Sequence, residues 1–301
     1  MVAHMLGRYL RHSTVYILLS IAALLCATAK ERPDPIPSVD GVLRFELYRG
    51  YLMVARGSVG PLKGLHFLID TGTSTTLIDS RIARRLNLQG LPEEVNIMFF
   101  NGGAGAMKAK VPSIVLGPVH RNHVSVLVQD LAIFDDALPV HIDAVIGLDV
   151  LGGSPFQVDF RRSRIYFGEL PHLPISIPLS VQDGLAMVDA EVNHTTAHLL
   201  IDTGTPTLLI FAARIPKAIA GIKLHKPRKN SNACSGVERK EVHLPRFQLG
   251  EAEFPLQQAS VMESRDEGGR DFDGLLSPAA LGIEAFTVDL ERGTLELRLG
   301  M

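Results

Sequence analysis

Two aspartates of this sequence lie in identical tetrapeptides, an arrangement that suits acid–base chemistry. The tetrapeptides are Asp70-Thr71-Gly72-Thr73 and Asp202-Thr203-Gly204-Thr205, and each follows an apolar run. Two carboxyl groups can hydrolyse an amide when one, ionised, takes a proton from water and the other, protonated, polarises the carbonyl. Carboxyl groups held close together cannot both ionise cheaply, so such a pair shares one proton. The sequence therefore predicts one shared catalytic centre containing Asp70 and Asp202.

The residues that follow each aspartate are suited to shape and support such a centre. Gly72 and Gly204 allow backbone angles and a close approach of neighbouring groups that a side chain would resist. The hydroxyls of Thr73 and Thr205 can donate to an ionised carboxylate and favour its charged form, which predicts a hydrolysis optimum on the acid side of neutrality. The simpler alternative is a plain turn, because aspartate, threonine and glycine are all ordinary turn residues.

The repeat extends beyond the tetrapeptides. At the same spacing the identical pairs are His66 and His198, Leu68 and Leu200, Ile69 and Ile201, Thr75 and Thr207, and Ile78 and Ile210. A second match lies near the end of each half, where Phe156-Gln157-Val158-Asp159 corresponds to Phe286-Thr287-Val288-Asp289. Self-similarity of this kind indicates duplicated structural units.

With these motifs the sequence resembles the retropepsin-like aspartic peptidases. A lobe of that family carries a hydrophobic-hydrophobic-Asp-Thr-Gly motif, then a glycine-rich flap, then a hydrophobic-hydrophobic-Gly segment. The first half contains all three, as Leu68-Ile69-Asp70-Thr71-Gly72, Asn101-Gly102-Gly103-Ala104-Gly105 and Val145-Ile146-Gly147. The second half contains Leu200-Ile201-Asp202-Thr203-Gly204 and Leu275-Leu276-Ser277, where serine replaces glycine. Two properly spaced copies are far more specific than one tetrapeptide.

The resemblance implies a mainly β protein with two retropepsin-like or pepsin-like β-barrel lobes, the acid protease fold, and an active site between them. It implies hydrolysis without a covalent intermediate, a metal or an organic cofactor. It also implies that Thr71 and Thr203 interlock beneath the aspartates through their hydroxyls. The segment Asn101 to Gly105 would form a mobile hairpin tip that closes over an extended polypeptide substrate. Its counterpart in the second half is Ala233-Cys234-Ser235-Gly236, which is less rich in glycine.

Periodicity supports a mainly β chain with one helix near the first aspartate. Short segments rich in β-branched and aromatic residues alternate with glycine, proline and asparagine turns. A helix is predicted over Arg81 to Leu86, with Asp79 or Ser80 as its N-cap. The clearest strand segments are Leu43 to Leu47, Val111 to Leu116, His123 to Val128 and Phe156 to Phe167.

Length, composition and the N-terminus set the context. A chain of 301 residues with 46% hydrophobic content can bury two cores, and a net charge of −2 gives no field that attracts nucleic acid. The apolar stretch Val15 to Ala27 is shorter than a spanning helix, and Ala27-Thr28-Ala29 offers small residues to a signal peptidase. A secreted or periplasmic protein is therefore expected, and an uncleaved anchor is the alternative.

The predicted organisation divides the chain into five parts. They are a signal peptide over 1–29, an extended leader over 30–42, an N-terminal lobe over 43–170, a linker over 171–176 and a C-terminal lobe over 177–301. Because both lobes lie in one chain, a monomer that forms an intramolecular pseudo-dimer is expected. Two other functions stay open: a non-catalytic peptide-binding module that uses the same cleft, and a structural protein of the cell envelope.

Overall fold

A computed structural model describes residues 41–88, 105–225, 239–262 and 272–300 in full, together with the backbone of 17–18, 20–21, 94–99 and 102–104. The predicted signal peptide lies outside these residues, apart from the strands β1 (Ile17–Leu18) and β2 (Ser20–Ile21). The leader up to residue 40, Asn101 and the segment 233–236 also lie outside them. Within the described part of the chain, no helix combines the length and the apolar character needed to span a membrane.

The first half of the described chain is built almost wholly from strands. Its elements are β3 (Gly41–Tyr48), β4 (Leu52–Val59), β5 (Leu62–Ile69), β6 (Leu77–Asp79), α1 (Ser80–Arg85), β7 (Glu94–Phe99), β8 (Gly102–Leu116), β9 (Val119–Gln129), a 3-10 helix (Ala132–Phe134), β10 (Ala144–Ile146), α2 (Leu148–Leu151), β11 (Phe156–Asp159) and β12 (Arg164–Phe167). We call residues 41–167 the first lobe.

The second half repeats this order with the counterparts of α1, α2 and β7 changed or outside the described residues. Its elements are β13 (Ile175–Gln182), β14 (Leu185–Val192), β15 (Thr195–Ile201), β16 (Leu208–Phe211), α3 (Pro216–Ile219), β17 (Arg239–Leu249), β18 (Ala252–Met262), β19 (Gly274–Leu276), a 3-10 helix (Ala279–Leu281), β20 (Ile283–Asp289) and β21 (Thr294–Leu299). We call residues 175–300 the second lobe. The prediction of a mainly β chain is confirmed.

The two lobes share one pattern of strand pairing. In the first lobe β4 pairs with β5, β5 with β10, β10 with β6, β6 with β9, β9 with β8, and β8 again with β4. The second lobe has the equivalent pairs: β14 with β15, β15 with β19, β19 with β16, β16 with β18, β18 with β17, and β17 again with β14. In both lobes the strand that ends at the aspartate pairs in parallel with the hydrophobic-hydrophobic-Gly/Ser strand, β5 with β10 and β15 with β19.

A third sheet joins the lobes in the order β3, β12, β11, β20, β21, β13. At its centre the second repeated motif pairs with its own copy, because Phe156 lies opposite Val288 and Val158 lies opposite Phe286. The Gln157 side-chain amide donates to the Thr287 hydroxyl at 2.9 Å. The repeated Phe-x-Val-Asp segments are therefore the joint between the lobes.

Both lobes begin earlier than the sequence predicted. Strand β3 starts at Gly41, inside the predicted leader, and β13 starts at Ile175, inside the predicted linker. The physical reason is the third sheet: Gly41 pairs with Phe167, and Ile175 pairs with Leu297. The sequence does not reveal these pairings, because the partner strands lie far away along the chain.

Apolar side chains from both lobes and from the third sheet form one large buried cluster, which contains Phe67, Phe156, Phe247 and Phe286. Burial of such surface is the main favourable contribution to folding. The predicted helix is confirmed as α1, since Asp79 caps it by accepting a hydrogen bond from the Arg81 N–H at 2.8 Å. Its buried residues are Ile82 and Ala83, and Leu86 packs against the same cluster while partly exposed.

Candidate active site

The two Asp-Thr-Gly turns start from strands that hold them in equivalent positions. Asp70 follows the end of β5 and Asp202 follows the end of β15. The Asp70 N–H donates to the Ile146 carbonyl at 3.0 Å, and the Asp202 N–H donates to the Leu276 carbonyl at 2.9 Å. The hydrophobic-hydrophobic-Gly/Ser segments therefore fix the backbone from which each carboxyl group projects.

A second repeated aspartate fastens each of these strand pairs. The carboxylate of Asp143 accepts the backbone N–H of His66, and that of Asp273 accepts the backbone N–H of His198, each at 2.9 Å. Asp143 and Asp273 precede β10 and β19, so these bonds tie the catalytic strand to its neighbour in both lobes.

Thr71 and Thr203 join the two turns by four reciprocal hydrogen bonds. Each hydroxyl accepts the backbone N–H of the other threonine, at 3.1 and 3.2 Å. The Thr71 hydroxyl donates to the Ile201 carbonyl at 3.0 Å, and the Thr203 hydroxyl donates to the Ile69 carbonyl at 3.2 Å. Both threonines are buried, so no water competes for these groups and the turns are held in register.

The carboxyl groups of Asp70 and Asp202 lie against each other and over each other's glycine. A Cβ atom on Gly72 would lie 2.6 Å from the Asp202 carboxyl carbon, and a Cβ on Gly204 would lie 2.9 Å from an Asp70 carboxyl oxygen. Only glycine leaves room for this approach. Each carboxyl group accepts the N–H of the glycine in its own turn, at 2.9 Å for Asp70 and 2.7 Å for Asp202.

Burial gives the two carboxyl groups raised and unequal pKa values. Loss of solvation raises the pKa of Asp70 to about 6, although N–H groups and the hydroxyl of Thr73 act in the opposite direction. Burial, followed by the negative charge of Asp70, raises the pKa of Asp202 well above its ordinary value. Because two buried carboxyl groups in contact cannot both ionise cheaply, the pair shares one proton, which is the state that two-carboxyl chemistry needs.

The hydroxyl of Thr73 lies where it was expected, whereas that of Thr205 does not. The Thr73 hydroxyl donates to the Asp70 carboxylate at 3.4 Å, but the Thr205 hydroxyl donates to the Thr207 carbonyl at 3.5 Å. The backbone N–H of Thr205, rather than its hydroxyl, lowers the pKa of Asp202. The Thr73 hydroxyl lowers the pKa of Asp70 as expected, but burial outweighs it, so the net shift of both pKa values is upward.

Two residues that support the first turn were missed by the sequence argument. The Thr76 hydroxyl donates to the Asp149 carboxylate at 2.7 Å, and the Thr76 N–H donates to it at 2.9 Å. The same hydroxyl accepts the Gly147 N–H at 3.2 Å. A signal was present in the repeat, because the equivalent positions of the second lobe are the apolar Leu208 and Ala279.

The predicted flap lies in the hairpin formed by β7 and β8. Phe99 pairs with Gly102, Met98 with Gly103 and Ile97 with Ala104, so the glycine-rich segment begins the strand β8. Gly105 continues that strand and pairs with Asn96. Residues 100 and 101 lie outside the described residues, as does the segment 233–236 of the second lobe.

Among the residues that the structure describes, no three His, Cys, Asp or Glu side chains are arranged to hold a metal ion.

Residues 56–150 match the family of aspartyl proteases. The matched segment contains the Asp70 turn, the β7–β8 hairpin and the Val145-Ile146-Gly147 strand. No curated protein matches the chain.

Proposed function

We propose that the chain is an aspartic endopeptidase in which Asp70 and Asp202 activate one water molecule, because residues 56–150 match the aspartyl protease family. The observation that carries this proposal is the contact between two buried carboxyl groups, one from each lobe, whose pKa values are both raised. A turn motif that served only to reverse the chain would not require two buried acids in contact.

In the proposed reaction the ionised Asp70 takes a proton from water as the water oxygen attacks the carbonyl carbon of a peptide bond. Asp202 gives its proton to the carbonyl oxygen, so a neutral tetrahedral intermediate forms. When the C–N bond breaks, the proton held by Asp70 passes to the leaving nitrogen and Asp202 recovers a proton from the intermediate. The carboxyl groups therefore end in the states in which they began, as general acid–base catalysis requires.

The pKa values define the pH range in which this pair can act. The base Asp70 is ionised above a pH of about 6, and the acid Asp202 stays protonated below its own raised pKa. We expect a bell-shaped dependence of kcat/KM on pH between these two limits. The acidic limb follows Asp70, and the alkaline limb follows Asp202.

The proposed substrate is a polypeptide bound in extended form beneath the β7–β8 hairpin. One chain supplies both halves of the site, so a monomer suffices.

We also propose a secreted or periplasmic location, with a mature chain that begins near Lys30, on the basis of the short apolar N-terminal stretch. N-terminal sequencing of the natural protein tests the location. An intact Met1 on membrane-embedded material would replace secretion with anchoring.

The function is tested by incubating the mature chain with a mixed peptide library from acid to mildly alkaline pH and identifying the products by mass spectrometry. We expect internal cleavage of peptides, and no cleavage by a chain that carries both Asp70→Asn and Asp202→Asn. Binding of peptides without any cleavage at any pH would favour the alternative, a peptide-binding module that uses the same cleft.

A further inference from the structure

The backbone beneath the two catalytic turns differs at one hydrogen bond. In the first lobe the N–H of Leu148 donates to the carbonyl of Thr73 at 2.8 Å. The residue equivalent to Leu148 in the second lobe is Pro278, which has no N–H. The carbonyl of Thr205, equivalent to that of Thr73, therefore cannot receive this bond.

Ser277 supplies the missing donor. Its hydroxyl donates to the Thr205 carbonyl at 2.7 Å and accepts the N–H of Ala280 at 3.4 Å. Ser277 is 1% exposed and Thr205 is also 1% exposed, so water has little access to either group. Without the Ser277 hydroxyl the Thr205 carbonyl would be a buried acceptor without a donor, which is costly.

The first lobe does not have room for the same solution. A Cβ atom on Gly147, the equivalent of Ser277, would lie 2.6 Å from both the carbonyl oxygen and the methyl group of Thr73. The two lobes thus hold equivalent carbonyl groups in different ways. In the first lobe the backbone N–H of Leu148, which follows Gly147, donates to the Thr73 carbonyl. In the second lobe the hydroxyl of Ser277, which precedes Pro278, donates to the Thr205 carbonyl. The replacement of glycine by serine in the repeat therefore accompanies the proline beside it.

Thr205 connects this bond to the catalytic pair. The neighbouring N–H of Gly204 donates to the Asp202 carboxyl group at 2.7 Å, and the backbone N–H of Thr205 also lowers the pKa of that carboxyl group. We propose that Ser277 is a positioning residue that anchors Thr205 from below and so keeps the Thr205 and Gly204 N–H groups directed at Asp202. Its importance for catalysis rests on the proposed function, whereas its hold on Thr205 does not.

The experiment compares the full chain with Ser277→Ala and with the double variant Ser277→Ala/Pro278→Ala. The double variant lacks the hydroxyl but regains a backbone N–H at position 278. We expect Ser277→Ala to lower kcat/KM by about tenfold or more, because a buried acceptor loses its only strong donor. The alkaline limb of the pH profile should move upward, because Asp202 loses N–H donors that lower its pKa while burial and the charge of Asp70 continue to raise it.

Amide hydrogen exchange gives a readout that does not depend on activity. In Ser277→Ala the amides of Gly204 and Thr205 should exchange faster, while the amide of Gly72 in the first lobe keeps its protection. The double variant should restore both the exchange rates and the pH profile. Ser180→Ala is a matched control, since it removes a hydroxyl that donates to the Met187 carbonyl at 3.4 Å, at a site outside both catalytic turns.

Each outcome decides the proposal. The proposal is overturned if Ser277→Ala changes neither the exchange rate of the Gly204 amide nor the alkaline limb of the pH profile. It is also overturned if the double variant Ser277→Ala/Pro278→Ala restores neither property. If Ser277→Ala does not fold, the double variant must recover the fold, because it returns the donor. If the unsubstituted chain cleaves no peptide, the proposed function fails, and the exchange comparison still decides whether Ser277 holds Thr205.

Discussion

The first and second lobes carry the same catalytic tetrapeptide but support it with different side chains. In the first lobe Thr76, Asp149 and the Leu148 N–H hold the turn, and the Thr73 hydroxyl reaches the carboxylate. In the second lobe Ser277 holds the turn, and the hydroxyl of Thr205 points away from the carboxyl group. What both lobes preserve is the backbone path and the N–H groups directed at each aspartate.

This difference explains how two identical motifs can perform two different tasks. Asp70 accepts a side-chain hydroxyl as well as N–H groups, so its charged form is favoured relative to that of Asp202. Burial and then the charge of Asp70 raise the pKa of Asp202, which has no hydroxyl donor from Thr205. The unequal roles that we propose for the two aspartates thus agree with the different supports around the tetrapeptides rather than with the tetrapeptides themselves.

The largest expected effect is the loss of either carboxyl group. Asp70→Asn and Asp202→Asn should each lower kcat by on the order of 10²- to 10⁴-fold, because each removes half of the acid–base pair. Asp189→Asn is the matched control, since that carboxyl group is 71% exposed and lies on β14. Peptide hydrolysis measured on folded protein checks the prediction. Substantial turnover by either folded dyad variant would mean that the lobes act separately.

The next largest effect is expected at the two glycines. Gly72→Ala and Gly204→Ala should each abolish most activity, because the added methyl group would press on the opposite carboxyl group. The contact is closer in Gly72→Ala, at 2.6 Å against 2.9 Å, so this variant should also lose more thermal stability. Activity assays and thermal unfolding provide the comparison. Equal activity of both variants with the unsubstituted chain would show that the carboxyl groups are not held in this contact.

Substitution of the interlocking threonines should affect stability equally in the two lobes. Thr71→Ala and Thr203→Ala each remove one donor and one acceptor of the reciprocal bonds, which predicts a loss of about 1 to 3 kcal/mol in the free energy of unfolding. Thr71→Ser and Thr203→Ser retain the hydroxyl and serve as controls. Because the bonds are reciprocal, the double alanine variant should lose less than the sum of the single losses. Simple additivity in chemical denaturation would argue against an interlock.

The smallest effect is expected at the hydroxyls beside the pair, and it differs between the lobes. Thr73→Val removes a donor that lowers the pKa of Asp70, so the acidic limb of kcat/KM should move upward by less than about one pH unit. Thr205→Val should leave that limb in place, because the Thr205 hydroxyl donates to the Thr207 carbonyl. Shifts of equal size in both variants would contradict the structural difference between the lobes.

The sequence predicted those features that local pattern or repetition can encode. The mainly β architecture followed from short β-branched segments, and helix α1 followed from the capping residue Asp79. The pairing of Thr71 with Thr203 came from the family resemblance, and the structure places the two side chains in reciprocal contact. The repeat also predicted one shared site, because two similar lobes related by an approximate two-fold axis can bring equivalent residues such as Asp70 and Asp202 together at that axis.

Other features could not be predicted because they depend on residues distant in the sequence. The role of Ser277 depends on the Thr205 carbonyl, which lies 72 residues away along the chain. The net pKa shifts depend on how completely the folded chain excludes water from the aspartates, which is a property of the whole packing. Strand starts at Gly41 and Ile175 depend on partners in the third sheet.

The most direct test of the central claim is a carboxyl titration by NMR, using chain labelled with ¹³C at aspartate, for the unsubstituted protein and for Asp70→Asn. We predict that Asp202 titrates well above the ordinary aspartate range in the unsubstituted protein. Its pKa should fall clearly in Asp70→Asn, because the neighbouring negative charge that raises it has been removed. If Asp202 instead titrates at the same pH in both proteins, the two carboxyl groups do not form a proton-sharing pair and the account is contradicted.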